Sequence, residues 1–232
     1  MDYYEIKYRF RLPDSRMLSY SIVLDPSGSN VSTDQSMTSD WSIIEEYKCA
    51  GCDFQSPDGL CPAAKIVESI EPDWQGVNSY DTIGLECIMP ERTIISETTA
   101  QQAVCALIGL KLAASSCPRL RFFRPMARFH VPIYSPEEYS YQVISNYLLG
   151  KYFAGHKLDK HDENAFADLK EIFTEIESVH HKMIERMESN PKMNLNITAV
   201  VVLDILSKVI SVEIDNHLSN ISRLFQAHND AA

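Results

Sequence analysis

A change of hydrophobic period near Thr99 constrains the fold of this chain more than any other feature. Ahead of it apolar and polar residues alternate; beyond it apolar residues recur at helical spacing. Residues 4–11 set Tyr4, Ile6, Tyr8 and Phe10 against Glu5, Lys7, Arg9 and Arg11, and residues 18–24 repeat the pattern with Leu18, Tyr20, Ile22 and Leu24. Such alternation predicts half-buried strands, because successive side chains of a strand point to opposite faces. Leu12-Pro13-Asp14-Ser15-Arg16 supplies turn chemistry between them, so the two strands form an antiparallel hairpin. Residues 80–99 predict a second hairpin, with Ile83, Leu85 and Cys87 on one side, Pro90-Glu91 near the turn and Thr93-Ile94-Ile95 returning. Between the hairpins, residues 25–40 read as a long polar loop, 41–47 fit a short helix or a strand equally, and Pro62 opens a helix over 62–70.

Beyond Thr99, residues Ala103, Val104, Leu107, Ile108, Leu110, Leu112 and Ala113 make a broadly apolar helix, expected at the centre of the molecule. An Arg-rich segment follows, and Pro132 and Pro136 then mark 128–133 as extended. The last third reads as helices over 136–154, 163–188 and 195–226, the last with a break. Ser135-Pro136-Glu137-Glu138 opens the first of them with a capping residue, Pro at the first helical position and acids in the first turn. The expected class is α+β: an antiparallel sheet of about four strands packed against a C-terminal helical layer. No repeat or linker divides the chain, so 1–232 reads as one domain, with 1–98 mainly strands and a cysteine-bearing insertion at 49–61, and 99–232 mainly helices.

The 32 acidic against 21 basic residues, a net charge of −11, oppose binding along a nucleic-acid backbone. Neither a secretory leader nor a membrane span is read: the most apolar stretch, 197–210, contains Thr198, Asp204, Ser207 and Lys208. The expectation is a cytoplasmic protein without membrane or nucleic-acid partners. In a reducing compartment its six cysteines serve ligation or burial rather than disulfides.

Four of those cysteines form the one pattern that names a chemistry. Cys49 and Cys52 flank Ala50-Gly51, a spacing that lets two sulfurs meet one ion because glycine permits the tight turn. Cys61 follows a loop containing Pro57, Asp58 and Gly59, and stands before Pro62 where a helix N-terminus stabilises a thiolate. Cys117 precedes Pro118 in the same manner, although its distance in sequence makes its membership a matter of the fold. Cys87 and Cys105 fall inside a strand and an apolar helix, where a free cysteine acts as a small hydrophobe. The set Cys49, Cys52, Cys61 and Cys117 suits an iron–sulfur cluster or a zinc ion, with redox-active or simply reduced cysteines as the remaining reading. The separated spacing leans slightly to the cluster, since structural zinc favours two close pairs.

Other constellations weigh less. His130, with Arg124 and Arg128 nearby in sequence, suits either a group supporting the cysteine site or an anion-binding pocket; a hydrogen-bonded core histidine and a set of ion pairs are the plainer alternatives. Glu177-Ser178-Val179-His180 has the spacing of carboxylate-bridged di-iron sites, but no second such pair occurs, and a solvated helix face is expected. Tyr139, Tyr141, Tyr147, Tyr152 and Phe153 are expected to pack. No phosphate-binding glycine loop or hydrolase signature is present.

Taken together, the segments Tyr8-Arg9-Phe10, Cys61-Pro62-Ala63-Ala64, Pro90-Glu91-Arg92-Thr93, Ser116-Cys117-Pro118 and Arg124-Pro125-Met126-Ala127-Arg128-Phe129-His130 resemble an uncharacterised bacterial family classed as a domain of unknown function. The resemblance covers nearly the whole chain. It implies that Cys117 belongs with the first three cysteines, and it implies no activity. Three functional readings stand open: a metal-binding accessory or regulatory protein, an enzyme or binding protein for an anionic small molecule using His130 and the neighbouring arginines, and a protein-interaction module.

Overall fold

A computed structural model of the protein describes residues 2–31, 40–156, 165–188 and 194–225. Four strands, β1 (Tyr4–Arg11), β2 (Met17–Leu24), β3 (Thr82–Met89) and β4 (Arg92–Thr99), form an antiparallel sheet in the order β2-β1-β3-β4. Both expected hairpins are present. In the first, Ser15 takes a positive φ of 70° and Leu12 and Arg16 close the turn. Tyr8 lies opposite Tyr20 on one side and Cys87 on the other, and Phe10 lies opposite Leu18 and Leu85.

The predicted alternation sorts the two faces. Tyr4, Ile6, Tyr8, Phe10, Ile22, Leu24, Ile83, Leu85, Cys87 and Met89 are buried. The opposite face carries exposed charges paired across strands, such as Arg9 with Glu86 and Arg11 with Glu97. Ion pairs of this kind contribute little to stability.

Helix α1 (Pro62–Ile70) lies in the connection between β2 and β3, and α2 (Ala100–Ala113) follows β4 directly, with Thr99 capping it by accepting from the Gln102 amide. Nearly every α2 side chain is buried, because the helix packs on β3 and β4 on one side and on α6 on the other. A helix apolar all round is stable only in such a position. Next come a 3-10 turn (Pro118–Phe123), α3 (Arg124–Arg128), α4 (Pro136–Phe153), α5 (Ala167–Glu188) and α6 (Asn194–Ser222). Ser135 caps α4 as the sequence predicts, and Glu138 completes a capping box with it.

The differences are local. The 41–47 stretch is a 3-10 turn (Asp40–Ser42) followed by a single bridge between Ile43 and Leu60. The Arg-rich segment stays helical through Arg128, and α6 runs unbroken to Ser222 where a break was expected. The expected ends at Glu163, Ser189-Asn190-Pro191 and Gln226, and residues 32–39 of the 25–40 loop, lie outside the described residues. Leu195–Val212 has the length and apolarity to cross a bilayer, but in the fold Ala199, Val200, Asp204, Ser207 and Ile210 are buried in a helix packed against α2 and α5.

Candidate functional site

Cys49, Cys52, Cys61 and Cys117 line one small cavity, of about 20 Å³, together with Val179, Lys182, Met183 and Arg186 of α5. Three separate chain segments deliver the thiols. The Cys52 amide bonds the Cys49 carbonyl at 3.0 Å, closing a turn in which Gly51 has φ +65°. Cys61 is held by its amide on the Ser42 carbonyl at 2.8 Å. Asp58 braces the intervening loop by accepting from Leu60, Ser56 and Lys65, which hold its carboxyl well below the usual carboxylate range.

The two Cys-Pro junctions are conformational twins. Cys61 (φ −72°, ψ 120°) and Cys117 (φ −63°, ψ 118°) are both N-cap residues, each followed by Pro at the first helical position and neither using its sulfur in an ordinary cap hydrogen bond. The extended N-cap backbone and the fixed φ of proline explain the match.

Burial raises the Cys49 thiol first, and the nearby Cys61 and Cys52 sulfurs add to the rise, while Arg186 and Arg119 act against it. Cys117 is pushed up to about 11, chiefly by burial, with Cys61 and Cys49 adding to it; the backbone N–H groups of Arg119 and Leu120 oppose the rise. For Cys49 and Cys117 the neutral thiol is therefore the stable state at neutral pH unless a cation takes the place of its proton. Among the described residues, no three or more His, Cys, Asp or Glu side chains are drawn together as a formed metal centre.

Three cations border the cavity. Arg119 reaches from just beyond Cys117 to the Gly51 carbonyl at 2.6 Å, and pairs with Glu175 of α5 at 3.2 Å. Arg186 is almost fully buried; it donates to the Trp41 and Tyr47 carbonyls, each at 2.6 Å, and its guanidinium lies over the Tyr47 ring. Lys182 pairs with Glu185. Sequence reasoning missed all three as site residues. Arg119 was hidden among four neighbouring arginines, whereas Arg186 could have been found: it falls seven residues after Val179, on the helix face that points inward.

Cys87 and Cys105 lie apart, buried between sheet and helices, and burial pushes their thiols up to about 11 and about 12. His130 is also a core residue. Its Nε2 shares a short hydrogen bond with the Tyr8 hydroxyl, and burial lowers its pKa to about 3. Arg124 donates to the Ser115 carbonyl, and Arg128 lies 3.4 Å over the Tyr4 ring and pairs with Glu91. The fold therefore sends His130, Arg124 and Arg128 to three different sets of partners.

The expected solvated face at Glu177 and His180 is instead a polar seam between α5 and α6. Glu177 accepts from Ser211, buried His180 meets Ser207 at 3.4 Å, and Asp204 binds Lys208 and His181. Tyr139 and Tyr147 pack as expected, but Tyr141, Tyr152 and Phe153 are exposed.

The family model for a domain of unknown function, DUF6901, matches residues 6–226, and the chain belongs to that family. No curated protein and no solved structure matches it.

Proposed function

From membership of a family that brings no assigned activity, we propose that this is a metal-binding accessory or regulatory protein in which Cys49, Cys52, Cys61 and Cys117 hold one tetrahedral metal ion. The observation that carries the reading is the convergence of four thiols from three chain segments on one cavity with three cations, and no carboxylate, in its lining. Four thiolates around a divalent ion leave an excess negative charge, and Arg119, Lys182 and Arg186 stand where they would offset it. A four-cysteine set is a standard ligand set for structural zinc, with Zn–S near about 2.3 Å.

The size of the cavity argues for a single ion over a cluster. A space of about 20 Å³ takes roughly one atom-sized sphere. A [4Fe–4S] cluster would bring four irons and four sulfides to the same thiolates. This reverses the lean that spacing alone suggests. The ion would tie the crossover loop to the start of the helical layer, so its binding free energy would add to folding free energy. Six free thiols support a reducing, cytoplasmic setting, and a net charge of −11 favours a protein partner over nucleic acid.

Metal analysis and a visible spectrum of anaerobically purified protein test the proposal. The expected result is one zinc per chain and no colour. Iron with sulfide would replace zinc by the cluster. A fully folded protein holding neither metal would end the reading.

A further inference from the structure

A second cavity, of about 80 Å³, lies in the helical layer and shares no residue with the cysteine site. Helices α2, α3, α4, α5 and α6, the Pro118–Phe123 turn and the 130–134 segment all contribute to its wall. Most of the lining is apolar, including Leu110, Phe123, Met126 and Leu203. No Asp, Glu, Lys or Arg side chain lines it.

Several polar residues also line this space: His130, whose Nε2 is spent on Tyr8; Tyr134 and Tyr139, whose rings stack at 5.3 Å; Gln142; and, on the α5 and α6 side, His180 and Ser207, which meet at a long 3.4 Å.

We propose that this cavity is a binding site for a small neutral molecule with an apolar, single-ring body and at least one hydrogen-bonding group. The volume sets the size: a sealed apolar cavity of about 150 Å³ is known to take up benzene, so this smaller space, which is partly open to solvent, admits no more than one ring and does not enclose it fully. The lining sets the charge, since an ion would lose its hydration without gaining a counter-charge. Burial keeps both histidines neutral, with pKa values lowered to about 3 and about 4, so neither supplies that charge at neutral pH. The His130, Tyr134, Tyr139 and Gln142 side chains in the lining set the polarity, a mixture of donors and acceptors available to one substituent.

Gly109 is the handle for a test. A Cβ there would meet the Leu203 Cδ2 atom at 3.5 Å, an ordinary contact, and both residues line the cavity, so a larger side chain competes for its space. Phenol, as the neutral probe, and benzoate, as its charged counterpart, are titrated into the full chain at pH 7 and followed by thermal unfolding and by NMR. The expected result is a saturable stabilisation by phenol, none by benzoate, and nuclear Overhauser contacts from the phenol ring to the Leu110 and Leu203 methyls. Gly109→Leu should lower phenol affinity at least tenfold. If that variant fails to fold, the methyl contacts in the native protein decide alone. Absence of saturable phenol binding, equal binding of benzoate, or contacts elsewhere on the protein would overturn the proposal.

Discussion

The guanidinium of Arg119 donates to the carbonyl of Gly51 at 2.6 Å, joining the two halves of the cysteine constellation without using a thiol. Arg119 stands two residues after Cys117, and Gly51 stands between Cys49 and Cys52. Its other nitrogen holds Glu175 of α5, so one planar fork spans the loop, the Cys-Pro junction and the helix behind them. The cation thus helps to order the cavity.

Arg119→Lys should weaken the site even though the charge is retained, because an ammonium cannot reach both partners in the same planar geometry. A loss of about 1.5–3 kcal/mol is expected for the charge-assisted bond. Metal stoichiometry and denaturant midpoints, measured on the same preparation, would check this; unchanged values for both would contradict it.

Cys117→Ser should bring bound metal from one per chain to near zero, whereas Cys105→Ser should leave stoichiometry unchanged. Both thiols are buried, so burial alone does not separate the two outcomes. Equal metal retention in the two variants would remove Cys117 from the site.

Gly51 and Gly59 both have positive φ, +65° and +72°, and an alanine at either should cost about 1–2 kcal/mol. They differ in surroundings: a Cβ at Gly51 would lie 2.8 Å from Arg119 Nη2, whereas at Gly59 nothing lies within 4 Å. Gly51→Ala should therefore be the more damaging for metal retention, and competition against a chromophoric chelator would rank the two.

Stability should fall as pH drops from about 6.5 toward 4. His130 and His180 have folded-state values lowered to about 3 and about 4 from a reference of 6.5, both chiefly by burial. In that window the unfolded chain binds more protons than the native one, so protonation favours unfolding, by up to about 1.4 kcal/mol per pH unit for each histidine. The stability is fully present above the unfolded value and is lost as pH falls toward the folded values. Unfolding midpoints of wild type and His180→Gln across this range should diverge, with the flatter profile in the variant.

Arg186→Met should destabilise by roughly 2–4 kcal/mol, since it leaves the Trp41 and Tyr47 carbonyls without their donor in a buried setting. Chemical denaturation reads the loss directly. A change within about 0.5 kcal/mol, the range of an ordinary surface substitution, would show that the loop holds itself.

The alternation of Tyr4, Ile6, Tyr8 and Phe10, the cap at Ser135 and the apolar run of α2 were legible in the chain because each depends on local geometry: the pleat, an orphan amide, a helix with no polar face. The cysteine set was legible as residue types, and the Cys-Pro junctions as helix starts. Whether Cys117 would meet Cys49, Cys52 and Cys61 was not, since that depends on how the β2–β3 crossover folds over the end of α2. Arg119, Arg186 and the seam at His180 were hidden for the same reason: a side chain's partner across a core is set by packing between elements distant in sequence. Local chemistry thus determined the strands, the helices and the thiols. The tertiary fold alone decided that four thiols share one cavity, because the crossover loop, the Cys117 junction and α5 line that space together.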